Sequence, residues 1–407
     1  MENKIYEVKQ KSILSSIIFI ATLVVVSITL VSVVFPALIL RIFGGFEDYL
    51  GVNPLEFGAW ALPFFIANGI ILVLGILHIK KMLPKEITKS IRFILNFEIS
   101  SQLALFVIVI LIGVFITLSV GQFFDGRFDA DYYERVKAGL ESYKFTLSEI
   151  KNLPNTFGVI SMIVFGNYKV IPFIASVALL VVTYLLASQI AKKRFAGIVA
   201  MCIVLQSGVF YLYDASVAYP SYWILFYLVS LYFVLRKQIL SPVCFILGAM
   251  SKPLIAAFLP MSLFFIYRSE ITKKKKVIIT AIYGVIVSIA ILGLFVLKSE
   301  STDYDLTKLS VHDFWGGFTA FNANLQHDGL ILIFLLPLII GLYIVYRRGV
   351  RHADSFMFLI MGILLSAPVL IAVSNITNTP YRFITLVTFF AIGTSILLSK
   401  QNYDSEK

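Results

Sequence analysis

The feature that most constrains this chain is a succession of apolar runs, many of them near the length a helix needs to cross a bilayer. A spanning helix takes about 20 mostly apolar residues, because every backbone N–H and C=O must find its partner within the segment. Such runs fall at about 13–40, 58–78, 100–120, 168–189, 196–214, 219–235, 239–251, 253–267, 277–297, 329–346, 354–373 and 380–398. With 59% hydrophobic residues, 14% charged residues and a mean hydropathy of +0.91, the 407-residue chain is far too apolar for an ordinary soluble domain. The reading is an all-α polytopic transmembrane bundle of about 12 spans. The first run is too long for the apolar region of a signal peptide and is expected to be a retained helix. The seventh and eighth runs are short and meet at Ser251-Lys252-Pro253. A proline there ends regular helix, so the pair is expected as two short spans or one broken, re-entrant unit.

The net charge of +11 would suggest nucleic acid in a soluble protein, but here the cations follow topology and no nucleic-acid role is expected. With the N-terminus placed in the cytoplasm, the connections carrying Lys80, Lys81, Lys85, Lys89 and Arg92, then Lys192, Lys193 and Arg194, then Arg236 and Lys237, then Arg268 and the lysine run 273–276, then Arg347, Arg348 and Arg351 all fall on one side. The other side carries Glu47, Asp48, Glu56, Asp125, Asp129, Asp131, Glu134, Asp214, Glu300, Asp303, Asp305, Asp313 and Asp328. Both termini are therefore expected in the cytoplasm. Cys202 and Cys244, the two cysteines, sit in apolar runs without metal-ligand spacing. The division expected is an N-terminal helical hairpin with a basic cytoplasmic loop over 1–95 and a transmembrane core over 96–407.

Two non-cytoplasmic loops, about 121–167 and 298–327, are too long for simple connectors. The first mixes charged and apolar residues over 131–141 and has a second apolar stretch over 157–165, so both are expected as interfacial or re-entrant helices. It opens with Phe128-Asp129-Ala130-Asp131-Tyr132-Tyr133. Two carboxylates near a membrane surface suit a general base or a divalent-cation site for Mg or Mn, and an acidic solvated loop is the bland alternative. Asp125, beside Gly126, reads as a turn residue. In the second loop His312-Asp313 and His327-Asp328 have no standard ligand spacing. His312 is a candidate for acceptor binding. Trp315 suits either membrane packing or stacking on a sugar. The run 273–276 reads as topogenic and facing anionic lipid, and Asn375-Ile376-Thr377 is a glycosylation sequon close to the expected membrane surface.

The order of these motifs resembles the GT-C superfamily of membrane glycosyltransferases that use polyprenyl-phosphate-linked sugars, the class that includes dolichyl-phosphate-mannose and aminoarabinose transferases. The resemblance is carried over roughly residues 100–398. It rests on the acidic stretch from Asp129 through Tyr132 to Ala138, then Leu153-Pro154 with Gly158, and the basic turn Lys192-Lys193-Arg194 ahead of Gly197. It continues with Gly248-Ala249-Met250-Ser251-Lys252-Pro253 and Pro380-Tyr381-Arg382-Phe383. Two features depart from the family pattern: a helical pair precedes the acidic loop, and Tyr219-Pro220-Ser221-Tyr222 stands where many relatives carry an acidic residue.

The resemblance implies transfer of a sugar from a dolichyl- or undecaprenyl-phosphate donor to a glycan, lipid or protein acceptor at the outer or lumenal face. It implies Asp131, then Asp129, as the base; Arg382 and Lys252 as donor-phosphate ligands; and Tyr132, His312 and Trp315 near acceptor or sugar. The bland readings of the two cations are a snorkelling lysine and an interfacial anchor. A transporter or lipid-linked glycan flippase, or an O-antigen-type polymerase or ligase, are the competing readings. The expected location is the cell membrane in a prokaryote and the endoplasmic reticulum in a eukaryote.

Overall fold

A computed structural model describes residues 13–43, 53–123, 137, 153–213, 220–296, 310–321, 325, 328–373 and 382–399. Among them all regular structure is helical. The helices are α1 (Ile13–Val34), α2 (Pro36–Phe43), α3 (Ala61–Ile79), α4 (Lys85–Asn96), α5 (Ser101–Phe123), α6 (Leu153–Phe165), α7 (Val170–Ala191) and α8 (Arg194–Leu205). They continue with α9 (Gly208–Tyr213), α10 (Pro220–Arg236), α11 (Leu240–Ser251), α12 (Leu259–Arg268), α13 (Lys273–Val296), α14 (Val311–Gly317), α15 (Gly329–Arg347), α16 (Ala353–Val373) and α17 (Phe383–Leu397). Short 3-10 segments, Pro253–Phe258 and Phe318–Phe321, follow α11 and α14.

Among the described residues six helices are long and apolar enough to cross a membrane: α1, α3, the stretch Ser101–Gly121 of α5, α7, α15 and α16. Their lengths of 19 to 22 residues give about 30 Å at 1.5 Å per residue, the thickness of a hydrocarbon core. This is consistent with an integral membrane protein. Most of the other apolar runs fold as helices of 10–17 residues. Pro36 starts a new helix after α1, since it lacks an N–H to continue the ladder. The freed Val34 carbonyl accepts from Gly58 N–H at 2.9 Å. A Cβ on Gly58 would lie 2.5 Å from the Val33 carbonyl oxygen, so this approach requires glycine.

The core is built around α17, which is buried over nearly all its length and packs against α7, α8, α15 and α16. Outside it α7, α8, α10 and α11 form successive hairpins, and α1 lies along α15 and α16. α3 and α5 are peripheral, with almost entirely exposed apolar faces, as expected where acyl chains are the solvent. The basic turn after α7 proves structural. Lys192 is left-handed with φ 55°, Lys193 Nζ donates to the Leu95 carbonyl at 2.7 Å, and Arg194 N–H donates to Glu98 Oε1 at 3.1 Å. The sequence reading treated 80–99 as a basic connection. It contains α4, an amphipathic helix with no buried residue.

One end of the bundle holds a buried ion pair. Asp354, fully buried at the start of α16, pairs with Arg268 at the end of α12, and Ser15 Oγ donates to the same carboxylate at 2.7 Å. This ties α1, α12 and α16 together where an unpaired carboxylate is costly. Nearby His352, in the α15–α16 connection, adopts φ 63° and stacks on Phe265 with ring centres 4.1 Å apart. Burial first, then the charges of Arg268, Arg351 and Lys276, lower its imidazole to about 3, so it is neutral in the fold.

Candidate functional site

The opposite end of the bundle gathers the site. α15 and α16 are antiparallel neighbours joined by a short turn, so the start of α15 and the end of α16 lie away from the Arg268–Asp354 pair. α17 begins at that same end, and its N-terminal flanking residue is Arg382. The arginine is 5% exposed, and its Nε and Nη1 have no hydrogen-bond partner.

Lys252 reaches the same place by a different route. α11 is only 12 residues long, about 18 Å, and ends where Lys252 turns extended, with φ −158° and ψ 117°. Pro253 then opens the 3-10 segment. The chain turns back here. Ser241, at the start of α11, shares a 2.8 Å hydrogen bond with Tyr283 Oη of α13, while the backbone carbonyl of Tyr267, near the end of α12, accepts from Lys276 Nζ in the first half of α13. The segment 252–258 is therefore the apex of a broken hairpin. Lys252 is 8% exposed, its ammonium lies 5.7 Å from the centre of the Trp223 ring, and the Arg382 guanidinium is close enough to repel it.

Two cations from positions 130 apart in sequence are thus buried within electrostatic reach of one another. Like charges in a low-dielectric interior raise the energy of the empty site. An anion between them reverses that sign, and Arg382 presents two open donors for it.

Beside the cations stands the start of α10. Trp223 is fully buried and Tyr222 is 2% exposed. Neither the indole Nε1 of Trp223 nor the phenol oxygen of Tyr222 has a hydrogen-bond partner. The Tyr222 ring packs on Phe157 of α6 with centres 5.0 Å apart. Two residues earlier Asn155 Oδ1 is also buried without a partner, as is Thr385 Oγ1 one turn into α17. A sequence reading misses these four because each is an ordinary residue in an apolar helix. The faint signal is Trp223, one of three tryptophans, placed at a helix start.

Of the residues expected to form the site, Lys252 and Arg382 are brought together. Asp129, Asp131 and Tyr132 lie outside the described residues, as do Asp125, the 131–141 segment apart from Lys137, and His327. The 157–165 stretch falls within α6. His312 and Trp315 are on α14, which packs against the C-terminal part of α16. Ser310 caps α14 by accepting from Asp313 N–H at 3.1 Å, Gly317 packs on the backbone at Pro368 of α16, and Trp315 sits in an aromatic group with Phe314 and Phe318. Trp315 is partly buried in this group. Asp328 is also structural: at 7% exposure it accepts from Ser207 Oγ at 2.9 Å and Gly208 N–H at 3.2 Å, fixing the break between α8 and α9.

Among the described residues no three His, Cys, Asp or Glu side chains converge on a metal position. Compared with protein-family models, characterised proteins and solved structures, the chain matches none.

Proposed function

We propose that this chain is a membrane glycosyltransferase that moves a sugar from a polyprenyl-phosphate donor to a lipid, glycan or protein acceptor at the non-cytoplasmic face. The observation that carries the reading is the buried pair of Lys252 and Arg382, with Arg382 Nε and Nη1 open. A phosphate monoester or diester at a membrane surface satisfies such a pair better than a carboxylate, because it offers more acceptor oxygens to a planar guanidinium. The polyprenyl chain has a natural place along exposed apolar helices such as α3 and α5.

In this reading about twelve segments cross or enter the bilayer and both termini are cytoplasmic. The acidic stretch with Asp129 and Asp131 stands on the same side as Lys252 and Arg382. Asp131 takes the proton of the acceptor hydroxyl as its oxygen attacks the anomeric carbon from the face opposite the phosphate. The bond from that carbon to the phosphate oxygen breaks, with inversion, and polyprenyl phosphate leaves against Arg382 and Lys252. Asp129 assists by orienting the acceptor. A Mg or Mn ion held by the two aspartates would supply Lewis acidity.

The test uses purified protein in lipid nanodiscs with radiolabelled undecaprenyl- or dolichyl-phosphate sugars and an acceptor extract. Transfer that is abolished in Asp131→Asn with folding intact supports the assignment; wild-type turnover in that variant removes Asp131 from the mechanism. Retained activity in a chelator excludes a divalent ion. A flippase of lipid-linked sugars is the second reading, favoured by the helix broken at Lys252 inside the bundle. Donor that crosses a vesicle membrane with its sugar still attached decides for it.

A further inference from the structure

We infer that Asn155, Tyr222 and Trp223 form a hydroxyl-reading wall beside the two cations, which selects the sugar-bearing donor over bare polyprenyl phosphate. The inference rests on the phosphate reading above and adds what is recognised next to it.

The donor and acceptor chemistry of the unpaired atoms leads there. Arg382 Nε and Nη1 and the Trp223 indole N–H only donate; Asn155 Oδ1 only accepts; the Tyr222 hydroxyl does both. A phosphate dianion accepts hydrogen bonds and cannot satisfy the Asn155 carbonyl. An acyl or prenyl chain satisfies none of the atoms. A ligand carrying several hydroxyls next to a phosphate satisfies the whole set, because each hydroxyl donates once and accepts twice.

The arrangement supports one shared space. Lys252 lies over the Trp223 ring, and Trp223 follows Tyr222 directly at the start of α10. Tyr222 is packed on Phe157 of α6, the helix that also carries Asn155 in its first turn. Tyr222 and Trp223 are both more than nine-tenths buried, so bulk water does not serve as their partner. Buried polar groups normally find partners, and several without them at one end of a bundle mark a place where a ligand supplies the bonds.

The experiment compares undecaprenyl phosphate with undecaprenyl phosphate carrying a hexose, an N-acetylhexosamine or a pentose, each titrated onto nanodisc-embedded protein. Wild-type protein is expected to bind one sugar-bearing ligand at least tenfold more tightly than bare undecaprenyl phosphate. Tyr222→Phe and Asn155→Ala are each expected to lose about threefold to tenfold of affinity for that ligand, one hydrogen bond's worth, and to bind bare undecaprenyl phosphate as wild type does. Tyr222→Phe removes a buried unpaired hydroxyl, so it is expected to melt no lower than wild type without ligand.

Unchanged affinity for every ligand in both variants overturns the wall and leaves the phosphate site standing. Equal losses for bare and sugar-bearing phosphate overturn it too, since the residues then shape the phosphate site alone. Binding of neither ligand class by wild-type protein overturns the phosphate reading, and the wall falls with it.

Discussion

Replacing Arg382 by methionine is expected to stabilise the empty protein while weakening its hold on the donor. Arg382 is 5% exposed, two of its donor nitrogens are unpaired, and it stands within repulsive reach of the buried Lys252 ammonium. At an effective dielectric near 20, two like unit charges about 8 Å apart would repel by about 2 kcal/mol. Unmade hydrogen bonds to a buried charged group add a cost of about 1–3 kcal/mol. Methionine keeps much of the apolar stem and removes both penalties, so Arg382→Met should gain about 2–4 kcal/mol, the range seen when buried charges give way to well-packed apolar groups. The donor loses two charge-assisted hydrogen bonds and half the cationic field. After dehydration costs that is about 3 kcal/mol, or roughly two orders of magnitude in Kd for undecaprenyl phosphate. Arg382→Lys keeps the charge and the repulsion but not the planar fork, so its melting point should match wild type while affinity falls about tenfold. Thermal melts followed by tryptophan fluorescence, paired with ligand titration in nanodiscs, measure both quantities. An Arg382→Met protein that melts below wild type and binds undecaprenyl phosphate normally would refute the reasoning and make Arg382 a structural anchor.

Three further outcomes follow from the other polar contacts. His352 is neutral in the fold with its imidazole near 3, against an ordinary value of about 6.5. As pH falls from about 6.5 toward 3, only the unfolded chain takes up this proton, and stability should fall by up to about 1.4 kcal/mol per pH unit. In His352→Asn, whose side chain tolerates the left-handed φ of 63°, that part of the slope should vanish in melts taken across this range. Arg268→Gln should cost about 3–5 kcal/mol, because it leaves the fully buried Asp354 carboxylate without its cation, and Asp354→Asn should cost less, because Arg268 is 21% exposed; a double-mutant cycle on melting free energies should show strong coupling, and additive losses would mean that the pair contributes little. Asp328→Ala strips partners from Ser207 and Gly208 and should lower stability by about 2–4 kcal/mol, with protease cutting at 206–208 as a local readout.

The class of fold was legible because the bilayer allows few solutions: apolar runs near 20 residues become helices, and six described helices meet that length. Helix breaks were only partly legible. The proline at 253 marked the break beside Lys252, but the stop after α8 at Gln206 and Ser207 depends on Asp328, more than a hundred residues away. The amphipathic α4 was hidden in a stretch read as a topogenic loop, since its lysines and arginine satisfy both descriptions. Lys252 and Arg382 stood out as charges at the ends of apolar segments. Tyr222, Trp223 and Asn155 did not, because an unpaired hydroxyl, indole or amide is a property of the packed environment and leaves no periodicity in the sequence. In the same way Lys192, Lys193 and Arg194 read as a motif turn, and only tertiary contacts reveal them as the clamp on the ends of α4 and α5.

The two buried cations owe their strength to helices that stop early. A helix of 12 residues, α11, and one of 15, α17, run about 18 and 22 Å, well short of a hydrocarbon core of about 30 Å. Lys252 and Arg382 stand at their ends, 8% and 5% exposed. A cation at such depth is screened less by water and salt than one at the surface. Both charges flank helix ends, Lys252 directly after α11 and Arg382 directly before α17, which limits how far their backbones can move when a ligand arrives. Lengthening α11 by one helical turn ahead of Lys252 would carry the ammonium about 5 Å toward the surface. That variant should keep its fold and lose donor affinity. Undiminished binding would show that depth is not what makes the pair effective.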